Sequence, residues 1–287
     1  MPLSFRPAFT LSLPDGRALE LGGRTLVMGI LNITPDSFAD GGQHFEAERA
    51  VKAGLQMVED GVDILDVGGE STRPGAEPVP VAEELRRVLP VIEALAGRTR
   101  VPLSVDTYKA QVADAAAAAG ASIVNDVSGL LYEPELGDVA ARRGMPLVLM
   151  HTRGRSADMY AHATYQDPLR EIAAELSGQV DTAISRGVPR RQIVLDPGLG
   201  FAKQAEHSYA ALAHLEALAA LECPILVGAS RKSFLREGVG DVSPAARDWG
   251  TAAAITAAIL FGAHIVRVHA VKPMVDVARV ADRIRQG

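Results

Sequence analysis

Asp66-Val-Gly-Gly-Glu-Ser-Thr-Arg-Pro-Gly75 is the stretch from which the rest of the chain can be read. It follows the apolar pair Ile64-Leu65, and a helix-like segment, Glu46–Asp60, precedes that pair. A strand therefore ends here and a loop begins. Gly68 and Gly69 allow positive φ or a close approach of the backbone to a ligand. Thr72 offers a hydroxyl, and Arg73 a planar fork of donors suited to phosphate or carboxylate. The next apolar helical pattern starts only near Val81. That connection exceeds the ~2–6 residues usual between a strand and a helix, and loops of such length tend to bind or to close over a site.

Moving outward, the strand–loop–helix unit repeats. Short apolar runs recur at Leu26–Leu31, Asp63–Val67, Pro102–Val105, Ser122–Val127, Pro146–Met150, Gln192–Leu195, Pro224–Val227 and His264–Val268. Continuous runs of this kind suit parallel strands buried on both faces. Helical patterns fill the intervals: Glu46–Asp60, Val81–Leu95, Lys109–Ala119, Pro134–Arg143, Pro168–Arg186, Ala205–Leu221 and Pro244–Phe261, with Pro273–Arg285 at the end. Gly61, Gly97, Gly120, Gly144, Gly187 and Gly262 mark helix ends. The alternation predicts an α/β protein, a (β/α)8 TIM barrel. A doubly wound open sheet fits less well, because the first strand leads into Asn32-Ile-Thr-Pro-Asp36 and not into a GxGxxG fingerprint. Before the barrel, Phe9–Leu13 and Ala18–Leu21 alternate around Pro14-Asp-Gly-Arg17. That is the pattern of a β-hairpin, expected to cover the bottom of the barrel. The domain expectation is residues 1–25 as hairpin extension and 26–287 as one barrel.

Composition limits the function classes. A net charge of −6, a pI near 5.7 and no basic stripe argue against nucleic acid as a partner. The single cysteine, Cys223, forms no intramolecular disulfide and fits a reducing compartment. The most apolar segment, Ala252–Ala263, is shorter than the ~20 residues a membrane span needs. The first residues lack the apolar core of a secretory signal. A cytoplasmic protein that engages no membrane is expected.

In a barrel of this kind the site lies at the C-terminal ends of the strands. Those ends carry, in order, Asn32 with Asp36; Asp66 with Thr72 and Arg73; Asp106; Asn125 and Asp126; His151; Asp196 with Phe201 and Lys203; Ser230, Arg231 and Lys232; and Arg267 and His269. The opposite ends carry no comparable set. Arg73, Lys232, Arg267, His269 and Asn32 could hold an anion such as a phosphate together with a metal. Asp106, Asn125 and Asp196 form an acceptor-rich group suited to a flat heterocycle that presents N–H donors. Asp106 could instead cap the following helix, and for Asp126 capping is the favoured reading. Asp66 either brackets the site or braces its own loop. His151 is read as a hydrogen-bonded wall residue and Lys203 as peripheral. No His/Cys cluster has zinc spacing, and no nucleophile elbow is present.

Asn32-Ile-Thr-Pro-Asp-Ser-Phe, Asp66-Val-Gly-Gly-Glu-Ser-Thr-Arg-Pro-Gly, Ser104-Val-Asp-Thr, Asn125-Asp, Leu195-Asp-Pro-Gly, Ser230-Arg-Lys-Ser and Arg267-Val-His occur together from Asn32 to His269. In this combination and order they resemble the dihydropteroate synthase family of pterin-binding enzymes. The resemblance implies a transferase of folate synthesis, usually a homodimer. Such an enzyme condenses 6-hydroxymethyl-7,8-dihydropterin pyrophosphate with p-aminobenzoate. It further implies that Asn32 helps to bind Mg²⁺ and that Thr72, Arg267 and His269 contact the pyrophosphate-bearing substrate. Asp106, Asn125 and Asp196 would read the pterin edge, with Lys232 beside the ring. Arg73, Pro74, Phe201 and Ser230 would frame the p-aminobenzoate pocket. The chemistry is expected to rest on Lys232, Asp106 and Arg267, and the loops Asn32–Phe45 and Gly68–Pro80 would close over the site. Three positions depart from the family pattern, the mildest being Leu199 where the family often has Phe. Ala202 stands where the family often has glycine and should resist positive φ, and Ala270 stands where Asp is common. Two rival readings are a pterin-dependent methyltransferase and a non-catalytic pterin-binding paralogue. The first would not need the Ser-Thr-Arg-Pro and Ser-Arg-Lys-Ser motifs.

Overall fold

Pro14-Asp-Gly-Arg17 reverses the chain between β1 (Phe9–Ser12) and β2 (Ala18–Leu21), which pair antiparallel with Phe9 opposite Leu21. Gly16 takes φ +83°, and the Asp15 carboxylate accepts from the Arg17 backbone N–H at 3.0 Å. The structure is a computed structural model that describes residues 6–33 and 43–287.

Eight parallel strands follow: β3 (Leu26–Asn32), β4 (Ile64–Gly68), β5 (Leu103–Asp106), β6 (Ile123–Asp126), β7 (Leu147–Met150), β8 (Ile193–Asp196), β9 (Leu226–Val227) and β10 (Ile265–Val268). Helices α1 (Gln43–Glu59), α2 (Val81–Ala96), α3 (Ala110–Ala119), α4 (Glu135–Arg143), α5 (Pro168–Ser185), α6 (Ala205–Ala213), α7 (Arg236–Val239), α8 (Asp248–Leu260) and α9 (Val271–Gln286) occupy the intervals. The strand order is β8-β7-β6-β5-β4-β3-β10-β9, and a parallel bridge between Leu195 and Ile225 closes the ring. The fold is the expected (β/α)8 barrel. Every residue of β4 to β9 is buried, so these strands read as unbroken apolar runs and not as alternations.

Two apolar layers hold the barrel. Val27, Leu65, Val105, Val124, Leu147, Leu195 and Val266 face outward and pack against the helices. Met28, Ile64, Ile123, Val148, Val194, Leu226 and Ile265 fill the interior, and Leu11, Leu13 and Leu21 of the hairpin complete that cluster. The hairpin thus seals the N-terminal end of the barrel with apolar side chains, and Gln192 ties it down through Ser12 N–H at 2.9 Å and Ser12 O at 2.7 Å. A strand repeats its facing every second residue. Two residues beyond Ile64, Ile123, Val194 and Ile265 stand Asp66, Asn125, Asp196 and Arg267. The polar strand ends are therefore the layer stacked directly on the interior core.

The helix ends differ from expectation in places. Gly120 and Gly144 adopt the left-handed conformation and accept the chain reversal after α3 and α4, but Gly97 ends α2 at φ −78°. The single helix expected over Ala205–Leu221 is broken at His214 (φ −130°, ψ 46°), and Leu215–Leu221 continues as a 3₁₀ helix. Buried Leu215 and Leu218 lie three apart, the repeat that a 3₁₀ turn places on one side. No helix among the described residues is long and apolar enough to cross a membrane.

Candidate active site

Arg267, on β10, is the hub of the polar layer. Its Nε donates to Asp66 Oδ2 at 2.6 Å and its Nη2 to Asp106 Oδ2 at 2.6 Å. Asn125 Nδ2 donates to the same Asp66 oxygen at 2.9 Å. Because an ionised carboxylate only accepts, this contact fixes the Asn125 amide with its nitrogen toward Asp66. Asp66 Oδ1 and Asp106 Oδ1 are buried without a hydrogen-bond partner. An orphaned buried acceptor costs ~1–3 kcal/mol, a cost that a ligand with N–H donors would remove.

Asp196, on β8, accepts from the Gly198 N–H at 2.7 Å through Oδ1. A side chain at Gly228 would sit 3.7 Å from Asp196 Oδ2, 3.8 Å from Lys232 Nζ and 3.9 Å from Arg267 Cβ. Its absence leaves a gap bounded by one carboxylate and two cationic side chains. Lys232 Nζ lies 4.5 Å from the centroid of the Phe201 ring, a cation–π distance. On the far side, His269 Nδ1 meets Ser230 Oγ at 2.9 Å, and Ser230 Oγ accepts from the His269 N–H at 3.1 Å. With the hydroxyl oxygen accepting from the backbone, its proton is free to point at Nδ1, which leaves the imidazole proton on Nε2.

Burial dominates the protonation of this layer. It pushes Asp106 up to about 7 against the opposing charge of Arg267, and Asp66 adds to the rise. Burial likewise raises Asp196, with Lys232 working the other way. Burial brings Lys232 down to about 8, partly offset by Asp196. His269 falls to about 3 through burial and through Arg267, Arg231 and Arg73. Arg267 loses solvation too, yet Asp66 and Asp106 hold it above its usual range.

A cavity of about 430 Å³ opens over this layer. Asn32, Thr72, Arg73, Asp106, Phe201, Ser230, Lys232, Arg267 and His269 are on its wall. Asn125 and Asp196 are not. They lie deeper, Asn125 behind Asp66, which is itself off the wall, and Asp196 behind Gly228. Asp36 and most of the expected lid loop Asn32–Phe45 lie outside the described residues. The second loop is held at both ends. Lys109 Nζ bonds Glu70, Glu84 and, at 2.7 Å, Val79 O, while Glu70 also accepts from the Val79 N–H at 3.0 Å. Between these anchors the Gly75 N–H donates to Ser156 O at 2.8 Å. Thr72 is half-buried and Arg73 exposed.

The helix-cap readings do not hold. Helix α3 begins at Ala110, with Thr107 Oγ1 accepting from the Lys109 N–H at 3.2 Å, so Asp106 is free for Arg267. Asp126 accepts from Ser128 N–H at 2.8 Å and Leu130 N–H at 2.6 Å, and braces its own loop, far from the start of α4. Lys203 is not peripheral: it is 2% exposed and lies behind the cavity wall. His151 is fully buried and hydrogen-bonded to Lys203 and Glu175.

Among family models, that of "Pterin binding enzyme" matches residues 28–269. The chain belongs to the pterin-binding enzyme family. The dihydropteroate synthase of Synechocystis sp. is 47% identical over 277 residues, covering 96% of both chains. That of Bacillus subtilis is 45% identical over 265 residues, covering 92% of this chain and 90% of its own. The structure of Xanthomonas albilineans dihydropteroate synthase with 4-aminobenzoic acid superposes with a TM-score of 0.91 at 44% identity, covering 98% of this chain and all of that one. The same enzyme in complex with 7,8-dihydropteroate gives 0.85 at 40% identity.

In this pterin-binding enzyme several wall residues were not singled out from the sequence. Glu70, Tyr160, Arg236 and Arg247 line the cavity. Tyr160 comes from the β7–α5 connection, which carries no helical or strand period and so gave no signal. Asp66 was named as a strand end, with its role left open between the site and its loop. It occupies the interior-facing position two residues after Ile64, and that parity excludes a role confined to its loop.

Proposed function

We propose that this chain is a dihydropteroate synthase. It joins 6-hydroxymethyl-7,8-dihydropterin pyrophosphate to p-aminobenzoate, giving 7,8-dihydropteroate and pyrophosphate. The observation that carries this reading is one cavity with two chemistries. Beneath it lies a buried layer of unpaired carboxylate oxygens and an oriented amide, reached at Asp106, and its wall holds Arg73, Lys232, Arg267 and His269. Xanthomonas albilineans dihydropteroate synthase, so similar in fold and sequence, binds 4-aminobenzoic acid and 7,8-dihydropteroate.

The residues divide the work accordingly. Asp106, Asn125 and Asp196 accept from the amino and ring N–H groups of the pterin, and Lys232 lies beside its ring. Thr72, Arg267 and the Nε2–H of His269 meet the pyrophosphate. The bond between the pterin methylene carbon and the pyrophosphate oxygen breaks, and its electron pair leaves with the oxygen. The electron-rich dihydropterin spreads the positive charge that develops, and Asp196 and Asp106 stabilise it electrostatically. The p-aminobenzoate nitrogen then forms the new bond and gives up a proton to solvent or to the departing pyrophosphate. No covalent enzyme intermediate is required. Arg73, Pro74, Phe201 and Ser230 hold the p-aminobenzoate so that its nitrogen points at the methylene carbon.

The donor set also bears on Mg²⁺. Among the described residues no cluster of three His, Cys, Asp or Glu side chains could hold a metal by itself. Asn32 Oδ1 lies beside Asp106, both within 3.5 Å of where a Gly68 side chain would begin. One neutral oxygen next to a phosphate site fits a hard cation that takes most of its oxygens from substrate and water. Asn32 would hold Mg²⁺ there, where it would neutralise charge on the leaving pyrophosphate.

Two broader properties belong to the same proposal. Trp249 is 86% exposed on α8, and Val280 and Ile284 are exposed on α9, which packs beside it. These exposed apolar side chains suit a homodimer, and sedimentation would show a monomer in an Ile284→Asp variant. The expected site of action is the cytoplasm.

The deciding experiment incubates the protein with Mg²⁺, the dihydropterin pyrophosphate and p-aminobenzoate and follows dihydropteroate by chromatography. Product that requires Mg²⁺ and is lost in Asp196→Asn supports the synthase. Calorimetric binding of the pterin without product would establish the non-catalytic paralogue instead.

A further inference from the structure

Lys203 is among the largest fully enclosed side chains in the molecule. Its Nζ makes three contacts, all to acceptors: His151 Nδ1 at 2.7 Å, Phe201 O at 3.1 Å and His151 O at 3.4 Å. Among the described residues no carboxylate lies within ion-pair distance of it. Burying a cation without a counter-charge is costly, and a methionine would fill the same space without that cost.

The contacts show what the amine holds in place. Because His151 Nδ1 accepts from Lys203, the ring proton sits on Nε2 and donates to Glu175 Oε2 at 3.0 Å. Glu175 is in turn gripped by Arg153. A continuous chain thus runs from the surface of α5, through His151 at the end of β7, to the loop after β8. That loop is bent tightly. Gly198, Gly200 and Ala202 all have positive φ (66°, 77° and 47°), and a side chain at Gly198 would fall 1.9 Å from His151 O. Between the bends sits Phe201, whose ring is on the cavity wall under Lys232. The Lys203 bond to Phe201 O is thus the link between the His151 brace and that ring.

We propose that Lys203 is a positioning residue that fixes Phe201 on the wall of the p-aminobenzoate pocket through its brace to His151 and Glu175. The assignment rests on the synthase reading above. It predicts an effect confined to one substrate, because Asp106, Asn125 and Asp196, which would hold the pterin, do not depend on the Phe201 carbonyl.

The test is steady-state kinetics on Lys203→Met, with pterin pyrophosphate affinity measured by calorimetry. The KM for p-aminobenzoate should rise about tenfold, while kcat at saturation and the pterin Kd stay within about twofold. Phe201→Ala should raise the same KM, and the double variant should add nothing further, because both act through one ring. Glu175→Ala alters a half-exposed side chain at the outer end of the brace. It should shift the same KM by about threefold, and it stands in for Lys203→Met should that variant not fold. An unmoved p-aminobenzoate KM in a folded variant, equal losses for both substrates, or additive effects with Phe201→Ala would overturn the assignment. A wild-type protein that makes no dihydropteroate would instead refute the synthase reading, and this assignment with it.

Discussion

Asp66 and Arg267 are joined at 2.6 Å across the barrel, and Asp66 has no exposed surface at all. Asp66 is not itself on the cavity wall, yet it sets two residues that would touch the substrate, since the same oxygen also takes the amide of Asn125. The paired charge on Asp66 orients a guanidinium that is shared with Asp106. Asp66→Asn keeps one oxygen that can still accept from both Arg267 and Asn125, but it removes the charge that holds the guanidinium in place. Hydrogen bonds to charged groups contribute ~1.5–3 kcal/mol each, and a loss of that order in pterin pyrophosphate affinity is expected. Calorimetry returning the wild-type Kd would show that Arg267 is held by Asp106 alone.

The pH dependence of pterin binding follows from Asp106 and Lys232. Burial holds Asp106 near 7 in the empty site, and the N–H donors of the pterin favour its ionised form. Binding below that pH must therefore expel a proton, and affinity should fall about tenfold per pH unit. Above about 8, Lys232 loses its charge and its attraction for the pyrophosphate. Affinity should peak between these limits. Calorimetry across pH 5 to 9 on wild type and Asp106→Asn checks this: the variant should lose the acidic limb, and a parallel pair of curves would assign that limb to Asp196, which burial also raises, or to the ligand.

Much of this layer was legible in the sequence, for a physical reason. Strands buried on both faces read as apolar runs, so the first polar residue after each run marks its C-terminal end, and a barrel brings those ends together. Asp106, Asn125, Asp196 and Arg267 were all found in this way. What stayed hidden depends on three-dimensional packing. Lys203 looks like an ordinary charged loop residue until the fold wraps it, and Tyr160 reaches the cavity from a stretch with no period. Ala202 was expected to resist positive φ, yet it adopts φ +47°. Its carbonyl accepts from Tyr165 OH at 2.9 Å and its neighbour is tied by Lys203, so tertiary contacts override the local preference. Conformational cost of that kind, ~1–2 kcal/mol, persists only where surrounding structure imposes it.

The hairpin can be separated from catalysis. Leu21 is 2% exposed and packs with Leu11, Met28, Ile64 and Val194 at the closed end of the barrel. Leu21→Ala removes buried methyl groups and leaves a cavity that the rigid strand ring cannot collapse, a change that costs ~2–5 kcal/mol in such cores. Denaturant unfolding should show that loss, while both KM values stay at wild type, since the polar layer is built from the other ends of the strands. A substantial change in either KM would mean that the hairpin transmits its packing through the interior layer to Asp66 and Arg267.

Arg73 gives the sharpest division between the two halves of the cavity. It is exposed on the β4–α2 loop, beyond the anchor that Lys109 makes with Glu70, and it makes no contact with Asp106, Asn125 or Asp196 in the polar layer. Among the described residues nothing ties its guanidinium, which can meet the carboxylate of p-aminobenzoate in a charged and solvent-accessible contact on the order of 1–2 kcal/mol. Arg73→Ala should therefore raise the p-aminobenzoate KM by roughly ten-fold and leave the pterin pyrophosphate Kd nearly unchanged. Because Thr72, its neighbour, remains held through Ser156 Oγ and the Thr72 carbonyl, the loop itself should keep its place. Equal losses for both substrates would move Arg73 to the pyrophosphate instead, and would leave Phe201 and Ser230 to define the p-aminobenzoate end without it.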